Sequence, residues 1–416
     1  MDFELTEDQK QIKALMKEVA ERETDRKQLQ ELADKVARAR TVEEVIALQP
    51  HHLYKKLHAV GLRQLAIPEK YGGGGYGVAG HVTRAIVSEQ AGYSMGIGAR
   101  LLGMVWRHCA AMSIDEVTEE QKDWFFTQLM EDDTMITASC SSEPAGLTDF
   151  ILAYEPKDNP GSVGKVLATK DGDEWIINGD KMFSSGSGTS GLFYVTARTD
   201  KKAPISQATT NFWVQKNTPG VSFTVNRLAT DEISGNFQTY FDNVRVPERQ
   251  HMKGKWGMYT AGSKHLFITA ILGDAQYIYD WLVDFAKQRM GGGRPIIRHT
   301  HIAAMLGKVS LHLEAARAFV YRGAWELDQA QLAGKLLDLY WCTGSYALVK
   351  QVAWELCEIA AEVMGGIASS LDLPVESFVR RVYVWLGGGG GGINTNSIMA
   401  SMLQNKHKVG EYGFGE

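Results

Sequence analysis

Apolar residues recur at helical spacing through the first third of the chain, give way to short alternating runs, and then return to helical spacing. Phe3, Ile12, Leu15, Met16 and Val19 fall near the 3.6-residue period, and Thr6 with Gln9 has the form of a capping box. Residues 24–50 are rich in Lys, Arg, Glu and Ala, which predicts one or two exposed helices ending at Pro50. A further helix stops at Gly61, an extended segment follows, and Gly72 to Gly75 form a loop. No Gly-Lys-Ser/Thr follows that loop, so it reads as a turn and not as a phosphate cradle. Residues 79–130 are again helical in spacing, with Ala85, Ala91 and Gly92 small enough for close packing.

The character changes near residue 135. From Met135 to about Val246, β-branched or alternating runs (MITASC, KVLATK, EWIING, LFYVTARTD, NFWVQK, VSFTVN) are separated by Gly, Asp, Asn and Pro. Asp171-Gly172 and Asn178-Gly179 are hairpin signals. Helical spacing resumes near Gly257, with segments at 263–290, 299–329, 332–365 and 374–386 that are apolar on several faces, as in a buried bundle. Six glycines, Gly387 to Gly392, follow; they hold a helix only at a large entropic cost. The expected plan is α+β: an N-terminal helical domain (1–134), a central β-barrel domain (135–250) and a C-terminal four-helix bundle (251–416). With 416 residues, 44% of them hydrophobic, the chain is long enough for such a division.

Charge and cysteine content narrow the function. A net charge of −5 and a pI near 6.2 give no basic surface for a nucleic acid. Cys109, Cys140, Cys342 and Cys357 are scattered without metal-ligand spacing, so they read as buried, reduced thiols. The acidic N-terminus has no apolar core, and no later stretch is long and apolar enough for a membrane span. A cytoplasmic protein without membrane contact is expected.

Several motifs, in order, cover essentially the whole chain. Ser142-Glu143-Pro144-Ala145-Gly146-Leu147-Thr148-Asp149 resembles the T-E-P-x-x-G-S-D element of the acyl-CoA dehydrogenase family. Trp175 to Ser185 (WIINGDKMFSS) resembles its Y-x-[IL]-N-G-x-K-x-[WY]-[IV]-[TS] element, and Phe241 to Pro247 (FDNVRVP) resembles the strand that closes its barrel. Met364-Gly365-Gly366 and Pro374-Val375-Glu376 with Arg380 resemble elements of its final helices.

The resemblance implies FAD as cofactor, an acyl-CoA thioester as substrate, an electron-transfer protein as oxidant and a homotetramer. It places Ser142 near the pyrimidine end of the flavin, Ser185 near N5 and Phe183 over the ring face. Arg289, in an R-x-x-F-G-[KR]-like segment, is implied at the FAD pyrophosphate, a task suited to a forked cation. Gly292 stands where that element has its phenylalanine. His301, Glu362 and Gly366 are implied as further FAD contacts across subunits, and Thr395 beside Asn394 as contacts after the glycine run. Thr148 and Arg100 are the implied substrate contacts; Arg100 and Arg107 point to an acidic or polar substrate tail.

One departure bears on mechanism. The family's glutamate base removes the substrate α-proton, and the matching position here is Gly388, counted back from Ile393, or Gly389, counted from Pro374. His265 lies at a second base location used by some members; Asp149, Glu89 and Tyr93 are further candidates. The expected activity is α,β-oxidation of an acyl-CoA with a displaced base. A related flavoprotein chemistry (desulfinase or monooxygenase) and a base-less partner subunit are the alternatives.

Overall fold

Thr6 and Gln9 form the expected capping box: the Thr6 side chain accepts from Gln9 N at 3.2 Å, and Gln9 Oε1 accepts from Thr6 N at 3.0 Å. They open the first of seven helices, α1 (Glu7–Glu23), α2 (Arg26–Arg38), α3 (Val42–Ala47), α4 (His51–Ala59), α5 (His81–Met95), α6 (Arg100–Met112) and α7 (Glu119–Glu131). The structure is a computed structural model and describes residues 4–144, 165–203, 208–228, 233–254, 265–335 and 339–387. The charged stretch after α1 is less exposed than its composition predicts. Leu29, Ala33 and Val36 of α2 are buried, because polar residues such as Gln30, Glu31, Asp34 and Lys35 between them leave one apolar stripe facing inward.

The strands are β1 (Thr137–Cys140), β2 (Leu167–Asp171), β3 (Glu174–Ser185), β4 (Leu192–Arg198), β5 (Thr209–Gln215), β6 (Val221–Val225), β7 (Asn236–Pro247) and β8 (His251–Met252). They form one 8-stranded sheet in the order β6-β7-β3-β2-β4-β5-β8, with β1 beside β4. Among the described residues this ladder path is open. Asp171-Gly172 does make the β2–β3 turn, with Gly172 at φ +61°. Asn178-Gly179 does not turn the chain. It lies inside β3, where Gly179 at φ +126° accommodates a register shift against β7, a bulge that a sequence pattern cannot separate from a hairpin.

Strand β4 joins two cores. Successive side chains point to opposite faces: Leu192 and Tyr194 pack with Trp106 and Phe125 of the helices and Trp213 of β5, while Phe193, Val195 and Ala197 pack with Phe212, Phe241 and Val246. A third cluster belongs to α8 (His265–Gln288), α9 (Thr300–Leu332), α10 (Leu339–Met364) and α11 (Pro374–Gly387). All four cysteines are buried, and none is joined to another in a disulfide. No described helix is long and apolar enough to cross a membrane.

Three contacts fasten the first helices to the last ones. Helices α5 and α8 cross at two glycines: a Cβ on Gly92 would lie 1.9 Å from Ala270 O, and one on Gly273 would lie 1.9 Å from Glu89 O. Gly80, the cap of α5, has no side chain to satisfy the helix start, so α9 supplies the acceptors. Asp328 accepts from His81 N at 2.7 Å and Val82 N at 3.1 Å, and Gln331 accepts from Ala79 N at 2.8 Å. Buried Asp274 on α8 receives both Arg26 of α2 and Arg381 of α11.

Candidate active site

The two motifs of the β region converge through a buried ion pair. Lys181 of β3 reaches back to β1's exit, donating to Glu143 Oε1 at 2.8 Å and to Ser141 O at 3.1 Å. Glu143 also accepts from Lys165 N at 2.7 Å and Val166 N at 3.1 Å. Burial pushes the Glu143 carboxyl up, but the Lys181 charge and these donors together hold it below the usual carboxylate range. Met182 N then donates to Ser142 O at 2.8 Å, which sets Ser142 beside the end of β3.

At that end the β3–β7 register shifts between Lys181 and Ser184, and Phe183 adopts φ +56° with its side chain 54% exposed. A left-handed aromatic residue is strained and leaves a large apolar face in solvent, a combination typical of ligand clamps. Ser185 Oγ accepts from Asn236 Nδ2 at 3.3 Å, so its own proton is oriented away from that donor. An exposed ring at such a strand end suits stacking against a flat heterocycle. Phe183→Gly separates the two costs. It relieves a left-handed strain of about 1–2 kcal/mol and adds about 0.5–1 kcal/mol of backbone entropy. The ligand-free protein is therefore expected to melt no lower than wild type, while flavin retention, measured by absorbance after gel filtration, falls.

A second exposed group follows α8. Arg289 closes the helix with its N–H on Phe285 O at 2.8 Å, and its side chain is exposed. It enters a hairpin of β9 (Met290–Gly291) and β10 (Arg294–Pro295), turned by Gly292 at φ +58° and Gly293 at φ +78°. His299 braces the hairpin: Nε2 donates to Gly291 O at 2.9 Å, leaving Nδ1 to accept from Arg294 Nη2 at 3.3 Å. Its Cε1 would lie 3.2 Å from a Cβ at Gly292, so the imidazole stands beside the position that lacks the family's phenylalanine. His301 is exposed next to it, with ring centroids 5.9 Å apart. Glu362 and Gly366 are both exposed where α10 ends.

Arg100 starts α6 and is half-buried, lining a small pocket with Gly96, Phe267, Asp274, Phe378 and Arg381. Arg107 is buried, donating to the Tyr194 hydroxyl at 3.2 Å, which ties α6 to β4. Glu89 is engaged by Arg317 Nε and the Tyr321 hydroxyl, both at 2.7 Å. Tyr93 donates to Asp280 Oδ2 at 3.1 Å, and burial with that hydrogen bond pushes its phenol up. Thr148, Asp149, Gly388, Gly389, Asn394 and Thr395 lie outside the described residues, and His265 is described as the first backbone position of α8 only.

Sequence reasoning passed over three groups. Glu143 and Lys181 sat unremarked within quoted motifs, although opposite charges inside apolar strands signal a pair. His108 is fully buried between the Thr137 and Ser139 hydroxyls, at 2.7 Å and 3.0 Å, and burial with neighbouring Arg107 holds its pKa well below the ordinary histidine value. Lys350 of α10 is buried as well.

Three family models cover most of the chain. Residues 6–133 match the N-terminal domain of acyl-CoA dehydrogenase, residues 153–244 its middle domain and residues 263–403 its C-terminal domain. The chain belongs to the acyl-CoA dehydrogenase family. It is an oxidoreductase of that type, acting on CH–CH donors. The short-chain-specific acyl-CoA dehydrogenase of Clostridium acetobutylicum is 26% identical over 390 residues, covering 91% of this chain and 93% of that protein. Butyryl-CoA dehydrogenase from Megasphaera elsdenii has the same fold, with a TM-score of 0.78 at 24% identity over 98% of this chain and all of the other. So does PigA, solved with FAD and proline, with a TM-score of 0.79 at 19% identity over 98% of this chain and 100% of that one.

Proposed function

We propose that this family member is an FAD-dependent acyl-CoA dehydrogenase whose base is displaced from the usual glutamate position. The strained, exposed Phe183 carries the reading, because it presents a stacking face at the end of β3 where the backbone of Ser142 and the side chain of Ser185 also lie. When bound, the flavin supplies the acceptor for the substrate's β-hydride. Ser142 and Ser185 orient hydroxyl donors toward its polar edge. Phe183 covers the ring and excludes water. Arg289 and His301, with Glu362, Gly366 and Thr395, hold the pyrophosphate and adenosine parts, some of them from a neighbouring subunit. Arg100 and Thr148 meet the acyl-CoA.

A homotetramer fits the outer face of α9, where Ala304, Gly307, Leu311, Ala315 and Ala318 are exposed at helical spacing and Leu311 is 67% accessible. The units 1–134, 135–250 and 251–416 act as helical, β-barrel and bundle domains around the cofactor, and an electron-transfer protein reoxidises it.

The purified protein, saturated with FAD and freed of excess, tests this. Heat release and chromatography should return FAD, and anaerobic mixing with a panel of acyl-CoAs should bleach it. A spectral shift without bleaching indicates binding without oxidation and favours another flavin chemistry. No flavin uptake overturns the cofactor assignment.

The vacant base position makes a further expectation. Gly388→Glu or Gly389→Glu should raise oxidation of a straight-chain acyl-CoA by about 10²- to 10⁴-fold, the usual worth of a positioned base. Only one position should respond, because adjacent residues project in different directions. Rates of flavin bleaching for both variants and wild type decide it.

A further inference from the structure

Asn178-Gly179 is the only Asn-Gly pair in the sequence, and the fold uses it inside a strand, not in a hairpin turn. The β3–β7 ladder pairs Ile177 with Val244 and then Gly179 with Phe241, so Asn178 alone faces both Asp242 and Asn243. Asn243 adopts φ +51°, and its backbone N–H donates to Asn178 Oδ1 at 2.8 Å. A backbone N–H only donates, which fixes the Asn178 carboxamide with its oxygen toward Asn243 N. Asn178 Nδ2 is then left to donate to Asn243 Oδ1 at 3.4 Å, and both asparagines are exposed.

The fold needs both halves of this pair. Gly179 sits at φ +126°, and a Cβ there would lie 3.0 Å from Val166 Cα, so a side chain is excluded. Asn178 supplies the acceptor for the left-handed Asn243. Yet asparagine is a thermolabile residue, and glycine after it leaves the next backbone nitrogen unshielded from the carboxamide carbon. The bulge adds activation. The Asn243 N–H already points at Oδ1, where negative charge collects when a nucleophile adds to Cγ, and a fixed donor at that place stabilises the addition.

We propose that Asn178 is a deamidation site of the folded protein, with the Gly179 nitrogen as nucleophile and the Asn243 N–H as oxyanion donor. Gly179 N loses its proton to hydroxide and bonds to Asn178 Cγ, while the carbonyl pair moves onto Oδ1. That pair returns, the Cγ–Nδ2 bond breaks, and Nδ2 takes a proton from water and leaves as ammonia, which closes a succinimide. Water then opens the ring at one of two bonds. Breaking N–Cγ gives aspartate at 178. Breaking the backbone C–N bond gives isoaspartate, in which the main chain runs through Cγ. Nothing is oxidised or reduced, and water is the only co-reactant.

The two products differ in consequence. Aspartate keeps the acceptor for Asn243 N and adds a charge near exposed Asp242. Isoaspartate lengthens β3 by a methylene ahead of Lys181 and Phe183, and so disturbs the register against β7 that sets both.

The full-length folded protein and the same chain unfolded in guanidinium chloride are held at mildly alkaline pH. Peptide mapping by mass spectrometry follows conversion at Asn178, and an isoaspartyl methyltransferase assay counts the isomer. A donor of this kind is worth about 10²- to 10³-fold and offsets the restricted motion of a strand, so the folded rate is expected within about tenfold of the unfolded one. A folded rate lower than that overturns the proposal, because it shows the ladder holding Gly179 N away from Cγ. Asn178→Gln, whose amide closes a larger ring slowly, should leave the same peptide unconverted. Conversion of that peptide at the wild-type rate in Asn178→Gln places the reaction on another residue and overturns the proposal as well. Mass is read with or without flavin, so failure here is distinct from failure of the cofactor reading. In flavin-loaded protein, isoaspartate-containing chains should release flavin faster than Asn178→Asp does. Equal retention overturns the consequence drawn for β3.

Discussion

Lys181→Met is expected to destabilise the protein by about 3–5 kcal/mol, the typical result of leaving one member of a buried pair without its partner. Glu143 would keep two backbone donors but lose the Lys181 cation, with its side chain 8% exposed. The pH dependence has a definite sign. In wild type Glu143 sits below its ordinary range, so its contribution is present above the unfolded value, about 4.3, and is lost as pH falls through the folded one. In the variant burial acts with the opposing charge removed, and the folded value moves up. The difference between the proteins should then narrow in acid. Lys181→Met combined with Glu143→Leu should recover part of the loss, because an apolar pair leaves no stranded charge. Urea unfolding at neutral and mildly acid pH measures both effects. Flavin retention should fall in Lys181→Met by more than its stability explains, since the pair sets Ser142 beside Phe183. A single variant as stable as the double one would show that the pair does not hold the two motifs together.

Gly273→Ala should cost on the order of 3 kcal/mol or more, for a different reason. The added methyl would stand 1.9 Å from Glu89 O, and a carbonyl in mid-helix has no rotamer by which to withdraw. The helices must separate, and every contact along the α5–α8 seam loosens with them. Gly92→Ala creates the mirror clash against Ala270 O. Once one methyl has forced the axes apart, the second finds room, so the double variant should be less destabilised than the sum. Thermal melting of the two single variants and the double one tests this. Additive losses would mean that the two crossings relax independently.

Helix periods, the capping box and the small residue Gly92 were legible because each is a local pattern with a local cause. The order of helices, strands and helices was legible for the same reason. Asn178-Gly179 was misread because a bulge and a hairpin turn use the same left-handed glycine, and only the partner strand β7 distinguishes them. Of the site, the resemblance located Ser142, Phe183 and Ser185 on neighbouring chain ends, yet it offered no reason for their closeness. That reason is the Glu143–Lys181 pair, which joins residues 38 apart. Glu89, Tyr93 and Arg107 looked available because charge and chemistry are visible in a sequence while their partners are not; Glu89's partner Arg317 is 228 residues away. Lys350 escaped notice for the converse reason: a lysine on a helix reads as solvated until its burial is known.

The cap on α5 has a consequence for how the protein comes into being. The donors at its first turn are synthesised 247 residues before the aspartate that receives them. At about 5–20 residues per second, a ribosome needs roughly 12–50 s to deliver Asp328 after His81. Throughout that interval α5 exists with its amide donors turned to water, and Asp274, which ties α2 to the same later helices, is likewise absent for most of the time. The leading third of the nascent chain must therefore wait in a soluble but unfinished state, exposing the glycine groove that α8 will fill. Translation rate and holding chaperones would act on this chain chiefly during that wait.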